Sequence, residues 1–516
     1  MSVVLSEHLP LLATAPDGIQ KLRRLILDLA VRGKIVPVDI NQSVVTTLGK
    51  VGKWAVGSGF PIAEQGKVGL EILFAKVSDM NLTENTKFIT TTNHTISRES
   101  ARRLRVNIHP AGTVVFPKIG GAIATNKRRV LVQDTAIDNN CLGITPKEGV
   151  NSDWLFVLLS SFDLTKYQAG TSVPALAQGV LSEIPVLLPP LAEQHRIVAK
   201  VGELMALCDR LETEQADSAS AHARLVETLL GTLAESTNAV DLANNWQRLA
   251  EHFDTLFATE VSLDALKKTV LQLAIMGKLV PQDPNDEPAS ELIRRIADER
   301  VRLESAGVCK KAKPLPPIAE SELTFDLPRN WVITRLGVAI DLVSGQHLTP
   351  DEYSNDLSNP IPYLTGPAEF GDKFPNPTRS TTQTRAIAIA GDILVTVKGS
   401  GVGKLNRVSQ KELAISRQLM AVRTIAVDND FIELLLRSAE QHFQDQTVGI
   451  AIPGIGRDDV QHLPLGLPPL PEQQRIVAKV QSLMALCDRL KADLATARDR
   501  QATLADTLID SSLEAA

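Results

Sequence analysis

From residue 191 to 233 apolar side chains recur at steps of four and three. The series is Ile197, Val201, Leu204, Cys208 and Leu211, weakening to Gln215, Ser218 and His222, then Leu225 and Leu229. A second series runs through Ile476, Val480, Leu483, Cys487, Leu490, Leu494, Ala497, Gln501, Leu504 and Leu508. A 3.5-residue period predicts long helices packed along their length, the first about 60 Å at roughly 1.5 Å per residue. Pro189-Pro190 and Pro468-Pro469 stand at the helix starts, with Glu193 and Glu472 in the first turns. Both placements suit a helix N-terminus. A shorter helix over 18–33 is stopped by Gly33 and its counterpart by Gly277, glycine being the usual helix stop. Residues 236–264 read as amphipathic helix through Leu242, Trp246, Leu249, Phe253, Leu256 and Phe257. The stretches 44–188 and about 320–467 instead hold short Val, Ile and Thr runs between Gly and Pro, such as 113–116 and 392–397. They predict mainly β domains with a few helices, for example at 152–162 and 429–442.

The chain repeats itself. PPLAEQHRIVAKVGELMALCDRL (189–211) and PPLPEQQRIVAKVQSLMALCDRL (468–490) agree at 19 of 23 positions, offset by 279. LRRLILDLAVRGKIVP (22–37) and LKKTVLQLAIMGKLVP (266–281) agree at 8 of 16, offset by 244. The second half therefore carries about 35 extra residues, most simply the Pro- and charge-rich stretch 282–330. Between the frames the echo is faint: AGTVVFPKIGGAIATNKRRV (111–130) against AGDILVTVKGSGVGKLNRV (390–408), and 135–140 against 414–418. Two similar frames with divergent inserts imply one shared task and two different ones. A gene duplication with uneven drift is the alternative.

Charge changes this picture. The 516 residues carry a net charge of −6, which argues against a nucleic-acid binder if taken as a whole. Divided by the repeats it does not. Residues 98–129 hold eight basic residues against one acid, and 373–423 hold nine against two. The helical stretch 202–264 holds three basic residues against twelve acids. Basic segments beside Gly, Asn, Gln and Ser suit phosphate neutralisation with hydrogen bonding to base edges. A solvated charged face is the bland alternative.

Catalytic patterns are scarce. The four cysteines are scattered, which disfavours a disulfide scaffold or zinc finger and suits a reducing cytosol. Cys208 and Cys487 read as small core residues at equivalent positions. No run of apolar residues is long enough for a membrane span, and the N-terminus lacks the basic start of a signal peptide. GSGVGK (399–404) resembles a phosphate loop only superficially, since Leu405 follows the lysine. The histidines form no metal-binding spacing, and His195 is replaced by Gln474 in the other frame.

The PPL-x-EQ-x-RIVAKV…LMALCDRL helices, repeated around divergent inserts, resemble the specificity subunit of type I restriction-modification enzymes. LPRNW (327–331), SGQHL (344–348) and IPYLTGPAEF (361–370) are similar to the opening of a target-recognition domain in that family; the first half lacks the LPxxW entry. The resemblance implies an α+β chain with a pseudo-twofold internal repeat, in which two mixed, mainly β target-recognition domains are joined by long helices forming an antiparallel coiled coil. The expected segments are 1–43, an N-terminal helical segment; 44–188, the first recognition domain; 189–286, a central helical spacer; 287–467, a linker and the second domain; and 468–516, a helix pairing with the central one. Each domain would read half of a bipartite asymmetric site in double-stranded DNA. Two methyltransferase subunits would dock on the helices, and restriction-translocase subunits would join them. S-adenosylmethionine, ATP and Mg would sit on those partners, with no catalysis, metal or cofactor on this chain. A cytoplasmic setting in a bacterium or archaeon follows. Phosphate contacts are expected from Arg102, Arg103, Lys127, Arg128, Arg379 and Arg407. Base-edge contacts are expected from Lys118, Asn126, Gln346, Lys398, Ser400, Lys404, Asn406, Arg417 and Gln418. Gly120, Gly121, Gly399 and Gly401 would let backbone approach DNA closely. Ile197, Val201, Leu204, Cys208 and Leu211, with Ile476, Val480, Leu483, Cys487 and Leu490, would pack the helices. The alternative is a non-catalytic coiled-coil scaffold whose inserts bind proteins.

Overall fold

The computed structural model describes residues 11–36, 42–170, 173–319, 322, 326–446 and 454–514. The chain divides into two compact units, 1–219 with 495–516, and 220–494. Each unit holds one frame helix, the start of one long helix and the end of the other, and one β-rich domain.

In the first unit the frame helix Gly18–Val31 buries Ile19, Leu22, Leu25, Ile26 and Leu29, a stripe at helical spacing. It stops at Gly33, whose φ of 69° is left-handed. The Lys34 amide reaches back to the Leu29 carbonyl at 2.9 Å, closing the last turn. The long helix Leu191–Ala234 starts in this unit and runs antiparallel to the frame helix. Arg23 pairs with Asp209 at 2.5 Å, and Gln215 donates to the Ala13 carbonyl at 2.6 Å. The second long helix, Leu470–Glu514, ends here and runs the other way. Lys21 meets Asp506 at 2.6 Å, and Arg32 donates to the Leu513 carbonyl at 2.9 Å. The two long helices thus run antiparallel within this unit, and Ile197, Val201, Leu204 and Cys208 share its core with Ala505.

The second unit repeats the arrangement. Its frame helix Glu260–Ile275 stops at Gly277, again with φ 69° and with the Lys278 amide on the Leu273 carbonyl at 2.9 Å. Lys267 pairs with Asp488. These residues lie at the two repeat offsets from Arg23 and Asp209, so the frames share an ion pair as well as an apolar face. Ile476, Val480 and Cys487 share the core with Val226, Leu230 and Leu233. Burial pushes the thiols of Cys208 and Cys487 up, consistent with inert core side chains.

One expectation is corrected. The apolar seam holds through Leu211 and Leu490 but then shifts by one residue. Leu225 is 51% exposed and Leu504 47%, while Val226 and Ala505 are buried. Val226 lies five turns beyond Cys208, and Ala505 five turns beyond Cys487, at about 3.6 residues per turn. A strict heptad drifts about 20° per repeat against that geometry, and the drift accumulates into one position. Two helix expectations also change. Residues 236–264 form Ala239–Glu251, Phe253–Leu256 and the start of the second frame helix. Residues 429–442 fall in Asn429–Ser438 and Glu440–Asp445, separated at Ala439. The extra stretch contains the helix Ala289–Ser305, and its Arg300 donates to the carbonyls of Gly337, Val338 and Ile340.

The β domains share a topology that their sequences barely suggest. In the first, Gly52–Val56, Cys141–Pro146, Val114–Pro117 and Arg129–Leu131 lie in that order in one sheet, with Phe88–Ile89 at its edge. In the second, Ile340–Ser344, Leu419–Thr424, Ile393–Thr396 and Leu405–Arg407 take the same order. A second sheet in each domain is built on a parallel pair, Ile72–Ala75 with Thr135–Ile137 and Ile361–Leu364 with Glu412–Ile415. At the base, Val44–Thr47 pairs with Pro185–Leu188, and Val332–Arg335 with Pro464–Leu467.

The glutamine of the PPL-x-EQ segment fastens each domain to its long helix. Gln194 accepts from the Asn151 amide at 2.7 Å and donates to the Pro189 and Gly149 carbonyls. Gln473 accepts from the Asp428 amide at 2.8 Å and donates to the Pro468 carbonyl. Asn151 and Asp428 in turn cap the domain helices Ser152–Ser161 and Asn429–Ser438. Both glutamines are fully buried, as a satisfied amide can be.

Candidate nucleic-acid interface

In each domain the chain passes from one sheet to the other through a tight turn, 138–141 in the first and 416–419 in the second. This turn lies at the far end of a six-residue strand from the glutamine bracket, roughly 20 Å at about 3.3 Å per residue. The Cys141 amide closes on the Asp138 carbonyl, and the Leu419 amide on the Ser416 carbonyl, both at 2.9 Å. Asp138 Oδ1 accepts from the Asn140 amide, where Ser416 Oγ accepts from the Gln418 amide. Outside the turn, the Lys118 amide holds the Asn140 carbonyl and the Val397 amide the Gln418 carbonyl. The Ser58 amide holds Ile137, and the Gln346 amide holds Ile415. Gly57 and Gly345 complete the match. A Cβ on either would stand 1.8 or 1.9 Å from the Asp138 or Ser416 carbonyl oxygen, so only glycine fits.

In the second domain several expected residues gather around this turn. Arg417 and Gln418 occupy it, and Gln346 adjoins it. Lys398 follows the strand that the turn grips. The Ser400–Lys404 loop reaches Pro367 through Gly401, next to Gly366, whose Cα faces the Gln418 side chain. Gln346, Lys398, Ser400, Lys404, Arg417 and Gln418 are all exposed. The side chains of Lys398, Lys404 and Arg417 make no ion pair or hydrogen bond among the described residues. Such free cations are the ones available to replace phosphate counterions.

In the first domain the corresponding place holds Lys118, half-buried and without an ion pair among the described residues. Beside it are Gly120 and Gly121. Gly120 has φ 73°, and its amide bonds the Pro174 carbonyl at 2.7 Å. Arg102 is exposed on the helix Arg98–Arg103 and makes no ion pair among the described residues, whereas the neighbouring Arg103 pairs with Glu64 at 2.5 Å.

Other expected residues have partners within the protein, and for the two that are buried, Arg128 and Asn406, the expected surface role is corrected. Arg128 is buried; its guanidinium satisfies the carbonyls of Leu159, Phe162 and Asn126, and burial pulls it down to about 10. Asn126, left-handed at φ 50°, binds the Leu164 amide and Asp163. Lys127 donates to Asn81. Asn406 is buried, donating to the Gly371 carbonyl at 2.7 Å. Arg407 pairs with Asp430 and Glu433. Both line a cavity of about 530 Å³ that also includes Lys267 and Asp488 of the frame, away from the turn. Arg379 is half-buried, donating to Thr365 at 3.1 Å and to Asn355, with its guanidinium over Tyr353.

The structure adds Ser58, Asn139 and Asn140, the first-domain equivalents of Gln346, Arg417 and Gln418. The signal was present in the faint echo of 135–140 in 414–418. Asn139, which is neutral, lies outside the basic segments 98–129 and 373–423.

Residues 64–219 and 348–496 match the type I restriction modification DNA specificity domain. The chain is 31% identical to the type I restriction enzyme EcoAI specificity subunit of Escherichia coli, over 96% of this chain and 94% of that protein. It is equally similar, at 31%, to the EcoEI specificity subunit of the same organism, with the same coverage. A chain solved in work on complex assembly and conformational transition of the type I R-M system matches over 92% of this chain and 97% of its own. Its TM-score is 0.52 at 22% identity, a likeness of fold.

Proposed function

The chain belongs to the type I restriction-modification DNA specificity family, and on that premise we propose that its two domains read the two halves of one bipartite asymmetric DNA sequence. The observation that carries this reading is the pair of equivalent turns with different side chains at their tips: Asn139-Asn140 in one domain and Arg417-Gln418 in the other. One supporting geometry with two contents is what two unlike half-sites require.

The long helices would dock two copies of a methyltransferase subunit. The repeat is identical even where no internal packing demands it: Ala199, Ala206 and Arg210 are exposed, and so are Ala478, Ala485 and Arg489. A surface presented twice fits one partner bound twice. Restriction-translocase subunits would join this core. Methyl transfer from S-adenosylmethionine, and ATP- and Mg-dependent translocation and cleavage, would belong to those partners, while this chain supplies recognition. The setting would be the cytoplasm.

The test is to exchange residues 44–188 for the corresponding domain of a relative, express the chain with its partner subunits, and sequence the host methylome. One half of the methylated motif is expected to change while the other half stays. A change in both halves, or in neither, overturns the reading and favours a protein-binding scaffold.

A further inference from the structure

We infer that Arg417 reads a guanine in the half-site of the second domain, and that Asn139, at the equivalent tip, reads an adenine in the half-site of the first. The inference rests on the bipartite reading above and deepens it to single residues. Three observations carry it.

First, the turn is rigid. In the second domain Ser416 is anchored through its amide on the Leu364 carbonyl and its side chain on the Thr365 carbonyl, and both Gln418 and Leu419 are bonded. Asp138 does the same work in the first domain, with its amide on the Ala75 carbonyl and its carboxylate on the Asn140 amide. A side chain on such a mount is placed reproducibly, which a bidentate contact needs. Second, the tip is the variable part. The surrounding bonds recur between the domains, while Asn139 is replaced by Arg417. Third, the tip is available. Arg417 is exposed, with no ion pair or hydrogen bond from its guanidinium among the described residues. Among the basic residues of the second domain, Arg379, Arg385, Arg407 and Arg423 are all engaged. The guanidinium fork matches the O6 and N7 acceptors of guanine, and an asparagine amide matches N6 and N7 of adenine.

The experiment uses the full chain assembled with its partner subunits. Binding is measured on its methylated motif and on duplexes with each base pair replaced in turn. For Arg417→Ala, discrimination at one G·C pair of the second half-site should fall by about 10- to 100-fold, with every other position kept. Asn139→Ala should do the same at one A·T pair of the first half-site. Lys411→Ala removes an equal charge at the opposite end of the strand Glu412–Ile415 that leads into the turn, and should leave all discrimination intact. A uniform loss across sequences with a salt slope lower by about one would mark Arg417 as a phosphate contact and overturn the inference. So would unchanged discrimination at every pair. A wild-type complex with no bipartite motif would overturn the underlying reading together with the inference.

Discussion

In the second unit Glu472 is buried, and it accepts hydrogen bonds from Trp331 Nε1 at 3.0 Å and Gln282 Nε2 at 2.7 Å. In the first unit its repeat equivalent, Glu193, lies near the surface and pairs with Arg196 at 2.7 Å, three residues along the same helix. The neighbouring glutamines, Gln194 and Gln473, perform one task in both places. Identical sequence therefore does not guarantee identical role; a side chain's role is set by what stands opposite it. Trp331 belongs to LPRNW, which the first half lacks, so Glu193 has no indole to bind.

The sharpest way to break this comparison is to remove both glutamates. Glu472→Ala leaves a buried indole N–H without its acceptor and should destabilise the second unit by about 2–3 kcal/mol. Glu193→Ala removes an exposed ion pair and should change the first unit by less than about 0.5 kcal/mol. Glu472→Gln keeps an acceptor and should fall between them. Amide exchange resolved by unit measures all three; equal costs in the two halves would show that the burial difference is energetically empty.

A subtler comparison concerns the long helices. Val226→Ala truncates a buried side chain and should cost about 1–2 kcal/mol, while Leu225→Ala should stay within about 0.5 kcal/mol. A strict heptad reverses that order. Urea unfolding of the two variants decides whether the helix keeps its ordinary 3.6-residue turn or supercoils along its whole length.

The same helices show what the sequence could and could not convey. Hydrophobic spacing located both of them, their glycine-stopped neighbours and the repeat, because helix signals are local and periodic. The phase beyond Leu211 was not legible, since 3.5 and 3.6 differ by less than one residue over a few turns. The shared sheet order was nearly invisible, because pairing joins residues far apart, such as Val115 with Gly143 and Leu394 with Ala421. Charge runs led to the turn in the second domain through Arg417, but they also pointed to Arg128. That arginine follows the left-handed Asn126 and lies beside the end of the helix Ser152–Ser161, whose free carbonyls draw the guanidinium inward. Composition reports that a cation is present; only the fold reports which way it faces.

The smallest predicted difference between the units is one of pH. Arg335 donates to Glu322, and with the Ala319 amide it holds that carboxyl down to about 2, from an ordinary 4.5. Among the described residues the first unit has no such pair at its base, where Thr47 occupies the position of Arg335. A carboxyl whose folded pKa is depressed contributes stability that is complete above 4.5 and is lost as pH falls toward 2. Amides of the strands Val332–Arg335 and Pro464–Leu467 should therefore lose protection across that window sooner than those of Val44–Thr47 and Pro185–Leu188. Glu322→Gln should remove the difference in acid sensitivity while leaving exchange at neutral pH modestly faster in the second unit. If the two bases lose protection in parallel in the unmodified chain, the ion pair does not distinguish them, and the extra residues of the second half serve only to span a distance.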